Sequence, residues 1–190
     1  MNYYQVIDDP SLSRRWFLKS PTDATGQPVN PESFRVARHF NAPTPLTISV
    51  RRDGEPVDWT FADFDMPVVG ENVGTVLKEI AGETITLFPA RVVGFNGAFC
   101  VFNALVCRKC IDEARSEFIK WLPEDGRADK VGQYRQVTKL RIQREAVQGL
   151  DIFRIDGWRI ALIVSDLVKA SIKELGASGI SFLSVTDSTT

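Results

Sequence analysis

The sequence predicts an α+β fold: one domain over residues 1–190, with a largely antiparallel sheet, hairpins and about two packed helices. Three observations carry that prediction. Asp53-Gly54, Asn96-Gly97 and Asp156-Gly157 each interrupt apolar, β-branched runs, and Asn or Asp before Gly tolerates the positive φ angles of a tight hairpin turn. Residues 99–106 and 160–164 are apolar at nearly every position, as strands covered on both faces are. Two further segments repeat their apolar residues at helical spacing.

In chain order, Leu46–Arg52 and residues 57–61 read as strands on either side of Asp53-Gly54. The preceding segment, 20–45, is rich in proline and reads as an irregular surface excursion. Val73, Val76, Leu77 and Ile80 form one stripe of a helix over 71–81, which Gly82 can end. Residues 84–93 and 99–106 flank Asn96-Gly97, while Ile152–Ile155 and residues 158–164 flank Asp156-Gly157. The runs 99–106 and 160–164 belong in the middle of the sheet. A second helix opens at Ser165, a natural N-cap, with Asp166 at the positive end of its dipole. Its stripe is Leu167, Val168, Ser171, Ile172 and Leu175, and Gly176 can supply the left-handed residue after it. Residues 180–185 read as a last strand and Asp187-Ser188-Thr189-Thr190 as a frayed tail.

Composition narrows the function. With 44% hydrophobic and 25% charged residues the chain is ordinary and globular, and 190 residues suffice for a sizeable core. A net charge of -1 argues against a general grip on nucleic acid, which needs a positive excess. The three cysteines cannot all pair, which fits a reducing compartment. The first residues lack a basic region followed by an apolar stretch, so no secretion signal is expected. Apolar runs are too short to span a bilayer. The expected setting is cytoplasmic, with no membrane and no nucleic acid as partner.

Cys107-Arg108-Lys109-Cys110 is the one string that resembles a reactive motif. Its spacing serves a redox dithiol, and neighbouring cations lower a thiol pKa. A zinc site needs a second ligand pair, and only Cys100 and His39 remain. The plainer reading is two cysteines at the end of a buried strand. His39 lies among Arg35, Arg38 and Asn41, which favours a solvent-facing role over pairing with a thiol. Without a Gly-rich phosphate loop or a serine elbow, no catalytic, cofactor-binding or metal residues are assigned.

Charge patterning says more. Between Asp53 and Glu83, eight carboxylates face Lys78 alone, a local balance of about −7. Trp59, Phe61, Phe64 and Met66 lie among them. Carboxylates that steer a basic partner and aromatics that anchor it would make a docking surface, with Trp59, Asp63, Phe64, Asp65 and Glu71 as its expected residues. A nuclease, which must attract phosphates, is a partner of that kind. The plainer reading puts the aromatics in the core and the acids on a solvated face. Downstream, Arg127, Lys130, Arg135, Lys139, Arg141 and Arg144 surround Tyr134 and read as the solvated face of a strand.

In the C-terminal half, longer phrases become specific. Trp121-Leu122-Pro123-Glu124-Asp125-Gly126-Arg127, Lys130-Val131-Gly132-Gln133-Tyr134-Arg135, Leu140-Arg141-Ile142, Ile152-Phe153-Arg154, Gly157-Trp158 and Ala161-Leu162-Ile163-Val164-Ser165 closely resemble one bacterial family. So do Asn103-Ala104-Leu105, Cys110-Ile111-Asp112, and near the start Arg15-Trp16 and Leu18-Lys19-Ser20-Pro21. It is immunity family eleven of the polymorphic toxin systems, formerly a domain of unknown function and typified by a myxobacterial immunity protein. The resemblance implies a cytoplasmic antitoxin, an immunity-protein-like domain that binds and neutralises a cognate secreted or contact-delivered toxin. It implies no cofactor and no catalytic residues, and supplies no toxin-contact residues. Cys107 lies outside the resembling phrases. Residues 29–83, which hold the acidic segment, carry the least resemblance, so toxin specificity is expected there. Two alternatives stand beside it: a thiol-dependent enzyme using Cys107 and Cys110, and a chaperone or adaptor for an effector.

Overall fold

The structure, a computed structural model, describes residues 1–186, so the expected tail at 187–190 lies outside the described residues. The elements run β1 (Tyr3–Asp8), β2 (Phe17–Thr22), β3 (Leu46–Arg52), β4 (Trp59–Ala62), β5 (Met66–Gly70), α1 (Glu71–Ala81), β6 (Ile85–Val92) and β7 (Phe99–Ala104). They continue with β8 (Cys107–Arg108), β9 (Glu117–Lys120), β10 (Tyr134–Lys139), β11 (Ile152–Ile155), β12 (Trp158–Ser165), α2 (Asp166–Glu174) and β13 (Ile180–Ser184). The α+β prediction holds, with the strands divided among three sheets. One has the order β2-β3-β6-β7-β5-β4, another β13-β1-β12-β11-β8, and β9 and β10 form a separate ribbon. Pairing is antiparallel except between β3 and β6 and between β8 and β11.

Both helices form where the spacing places them. α1 covers Glu71–Ala81 and buries Val73, Gly74, Leu77 and Ala81; the N–H of Gly82 closes it onto the Lys78 carbonyl. At α2 the Ser165 hydroxyl accepts from the Val168 N–H at 3.3 Å, as an N-cap should. Its buried stripe is narrower than expected: Val168 and Ile172 are buried, whereas Leu167 and Leu175 face solvent.

The two doubly apolar runs become interior strands. β7 lies between β6 and β5, and β12 between β1 and β11. Asn96-Gly97 and Asp156-Gly157 do sit in hairpins, β6–β7 and β11–β12. Neither turn is of the doubly left-handed kind: in the first the positive φ falls on Gly94, at 87°, and on neither Asn96 nor Gly97, and in the second only Gly157 takes one, 78°. Asp53-Gly54 is a correction. β3 pairs with β2 and β6, never with β4. Gly54 is instead a close approach, since a Cβ there would lie 2.4 Å from the Arg14 carbonyl oxygen.

One apolar cluster joins both large sheets and both helices, through residues such as Trp59, Leu77, Phe102, Leu162 and Ile172. A second lies on the other face of the six-stranded sheet. Phe34, from the proline-rich segment, is fully buried there, with its ring 5.3 Å from that of Phe88. Part of the expected surface excursion is therefore a core cover: the short 3-10 helix Pro31–Arg35 closes a sheet face on which neither α1 nor α2 packs. The third cluster packs Ile111, Leu140, Ile142 and Val147 on the outer face of the five-stranded sheet.

Candidate functional site

The expected docking residues centre on the connection between β4 and β5. Asp63, Phe64 and Asp65 form a single turn of 3-10 type, in which Phe64 has φ 58° and Asp65 φ 55°. Left-handed conformations at non-glycine residues cost on the order of 1–3 kcal/mol each and persist only where surrounding structure imposes them. Here the brace is visible. Arg51, from β3, lies 2.6 Å from Asp63, whose other oxygen accepts from the Ser20 N–H at 2.9 Å and the Ser20 hydroxyl at 3.2 Å. Arg35 donates to the Phe64 carbonyl and to the Asp65 carboxylate, each at 3.2 Å, and is itself paired with Glu32. The side chain so presented is a phenyl ring, 58% exposed. Burying such a ring at an interface releases water from a large apolar area at low conformational cost, as anchor residues do.

The other two expected residues do not join it. Trp59 is fully buried, with its ring 6.0 Å from Phe61 and 6.1 Å from Phe102. It is a core residue, since alternation along β4 turns it inward, and it offers no surface anchor. Glu71 is exposed in the first turn of α1, at the far end of β5 from the turn. That separation is roughly 20 Å at the rise of an extended strand. Nor are the acids a continuous field. Asp63 and Asp65 are paired with arginines from outside the acidic segment, Asp58 accepts from Ser178, and Glu83 lies 3.4 Å from Lys78. Asp53, Glu55 and Glu79 remain exposed.

The thiols are set against nucleophilic use. Burial raises the pKa of Cys107, with Asp156 adding to the shift, and pushes that of Cys110 up to about 12, with Cys107 adding to it. An activated thiol is shifted the other way. Cys100, in β7, is likewise raised by burial. His39 is exposed, as expected. Among the described residues, no three His, Cys, Asp or Glu side chains gather as metal ligands. The basic stretch is not one strand face: Arg135 and Lys139 lie in β10, Arg127 and Lys130 in the connection from β9, and Arg141 and Arg144 after the strand. Arg135 pairs with Asp125 at 2.8 Å and Arg127 with Asp129 at 3.1 Å.

Sequence reasoning missed the brace itself, because Ser20, Arg35 and Arg51 reach the turn from distant segments and carry no local signal. It also missed Arg154, which is fully buried in β11. One guanidinium nitrogen donates to the carbonyls of Arg159 at 2.7 Å and Ile160 at 3.2 Å, while Nε and Nη2 have no partner. Burial pulls its pKa down to about 10, Arg35 acts in the same direction, and Asp65 opposes them.

These features define an α+β protein with a braced turn that exposes one aromatic ring. The immunity protein family (Imm11) model matches residues 97–187, which bears out over that segment the resemblance read in the sequence. The phrases Arg15-Trp16 and Leu18-Lys19-Ser20-Pro21 fall outside the matched residues. The match points to immunity-protein function, and so to a toxin as the kind of partner. No match was found among curated proteins. None of the described helices is long and apolar enough to cross a membrane.

Proposed function

We propose that residues 1–190 act as one immunity domain that binds a cognate toxin in the cytoplasm and holds it inactive, stoichiometrically and without chemistry of its own. The family match over residues 97–187 carries this reading. Phe64 is the proposed anchor, with Asp63 and Asp65 as the residues that hold its turn in shape; Glu71 is a separate, outlying contact. Support for the anchor is threefold: the ring is exposed, its backbone is left-handed, and two arginines fix the turn before any partner arrives. A preformed anchor spares the ordering entropy that otherwise opposes binding. The toxin it fits has an apolar socket. The exposed carboxylates Asp53, Glu55 and Glu79 favour a partner with a basic surface, as a nuclease has.

The test is co-expression with the toxin domain encoded beside this gene, scoring growth and co-purification. Rescue with a stable complex is the expected result. Rescue without any complex would overturn stoichiometric inhibition and revive a chemical mechanism. A complex that leaves the toxin active would instead describe a chaperone or adaptor.

A further inference from the structure

Sheet edges are templates for pairing, and proteins ordinarily cover them. Both edges of the six-stranded sheet are covered. On β4, the Trp59 N–H donates to the Ser178 carbonyl at 3.0 Å and the Phe61 N–H to Asp8 at 2.9 Å. On β2, the Ser20 N–H is taken by Asp63, while Pro21 has no N–H and its carbonyl accepts from Val29 at 2.9 Å. In the five-stranded sheet, β8 is only two residues long. β13 is different. Its bonds to β1 run through odd-numbered residues, with the Val185 N–H on the Tyr3 carbonyl at 3.1 Å and the Asp9 N–H on the Gly179 carbonyl at 3.0 Å. Antiparallel alternation then turns the N–H and C=O of Ile180 and Phe182 outward. Among the described residues nothing reaches them.

Beside that edge runs a groove of about 260 Å³ between α2 and β13, lined by Lys169, Ile172, Lys173, Ala177, Ile180 and Phe182. Among the described residues, the only charged ones lining it are Lys169 and Lys173, set among Ile172, Ala177, Ile180 and Phe182. Lys169 lies 3.6 Å over the Tyr4 ring, and no carboxylate among the described residues pairs with Lys169 or Lys173. A strand added to β13 would send alternate side chains into this groove. We infer that β13 is a docking edge for an extended segment of another protein, bearing carboxylates at alternate positions. A second copy of this chain fits worse, because two-fold pairing of β13 with itself would bring the lysines of both copies together. The inference is independent of the Phe64 surface and of the toxin reading.

The test uses the full-length protein, ¹⁵N-labelled, titrated with a six-residue peptide alternating Val and Glu, and separately with its Val–Lys counterpart. The expected result is binding of the Glu peptide alone, with perturbed Ile180 and Phe182 amides whose hydrogen exchange slows at least tenfold. K169E/K173E should weaken that binding at least tenfold and admit the Lys peptide. Lys169 is half-buried against Tyr4 whereas Lys173 is exposed, so the milder K173Q, which should weaken binding severalfold, tests the charge without disturbing that contact. Absence of binding at millimolar peptide, binding that perturbs other amides, or binding indifferent to K169E/K173E would overturn the proposal. So would protection of the two amides that rises with protein concentration when no peptide is present, since a second copy would then occupy the edge.

Discussion

The two halves of the molecule handle their exposed apolar groups in opposite ways. In the N-terminal half the bulkiest exposed apolar side chain among the described residues, Phe64, stands on a strained turn held by arginines from two other segments. In the C-terminal half the β9–β10 ribbon and its connection spread Ile119, Leu122 and Val131 over a longer surface, with neighbouring charges paired locally, Arg135 to Asp125 and Arg127 to Asp129. The first arrangement depends on long-range contacts and presents a single point. The second depends on short-range ones and presents a strip. A local phrase can be kept intact by neighbouring residues, which suits the half that carries the family match; a point assembled from afar can be changed at one residue, which suits specificity.

The largest effect is expected where the halves meet. Gly179 sits at φ 88°, and a Cβ there would fall 2.1 Å from the Trp59 carbonyl oxygen and 2.7 Å from the Val57 Cβ. G179A should destabilise the protein by about 3 kcal/mol or more, because neither backbone can retreat without losing the bond between Trp59 and Ser178. Urea unfolding checks this, and a loss under 1 kcal/mol would mean the halves are less tightly joined than described. Next comes the anchor: F64A should lower toxin affinity by about 2 kcal/mol, roughly thirtyfold, while global stability stays within about 0.5 kcal/mol. Equal affinity in calorimetry would remove Phe64 from the interface and shift attention to the ribbon.

A third test concerns Cys110. Its folded-state pKa is raised from 9.0 to about 12, so the folded state holds the thiol proton more tightly than the unfolded chain. The stability this contributes is complete below pH 9 and is lost as pH rises from 9 towards 12. Unfolding free energy should therefore decline by up to about 1 kcal/mol per pH unit in that window, and C110A should flatten the decline. A native thiol that reacts rapidly at pH 8 would contradict both the burial and the sign. A modest stability effect belongs to the brace. R51A should cost less than about 1 kcal/mol, since its ion pair is largely solvent-facing. F64G, which relieves the left-handed strain, should raise stability by up to about 1 kcal/mol while losing the anchor. If F64G is instead destabilising, the turn is not strained.

The fold was legible where physics acts locally. The Val73–Leu77 stripe, the Ser165 cap, the doubly apolar run of β12 and the two true hairpins all depend on residues a few positions apart. Asp53-Gly54 misled because turn chemistry and close backbone approach both select glycine, and a single sequence does not separate them. Leu167 and Leu175 misled because spacing gives the angle of a helix face but not how wide a neighbour covers it. At the site, Phe64 and its flanking aspartates were legible as chemistry, but their charge was not, since Arg35 and Arg51 neutralise it from outside the segment. Trp59 and Phe64 look alike in composition; strand alternation buries one, and the turn exposes the other.

The placement of β1 bears on how the protein comes into being. β1 pairs with β12 on one side and β13 on the other, so this strand finds both neighbours only after residue 184 has emerged. Contacts of such long sequence separation close late. During synthesis the Tyr3–Asp8 segment must wait, unpaired, through nearly the whole chain. A copy translated only part of the way to residue 184 therefore lacks the completed five-stranded sheet, and folding ends with the insertion of a strand made long before its neighbours.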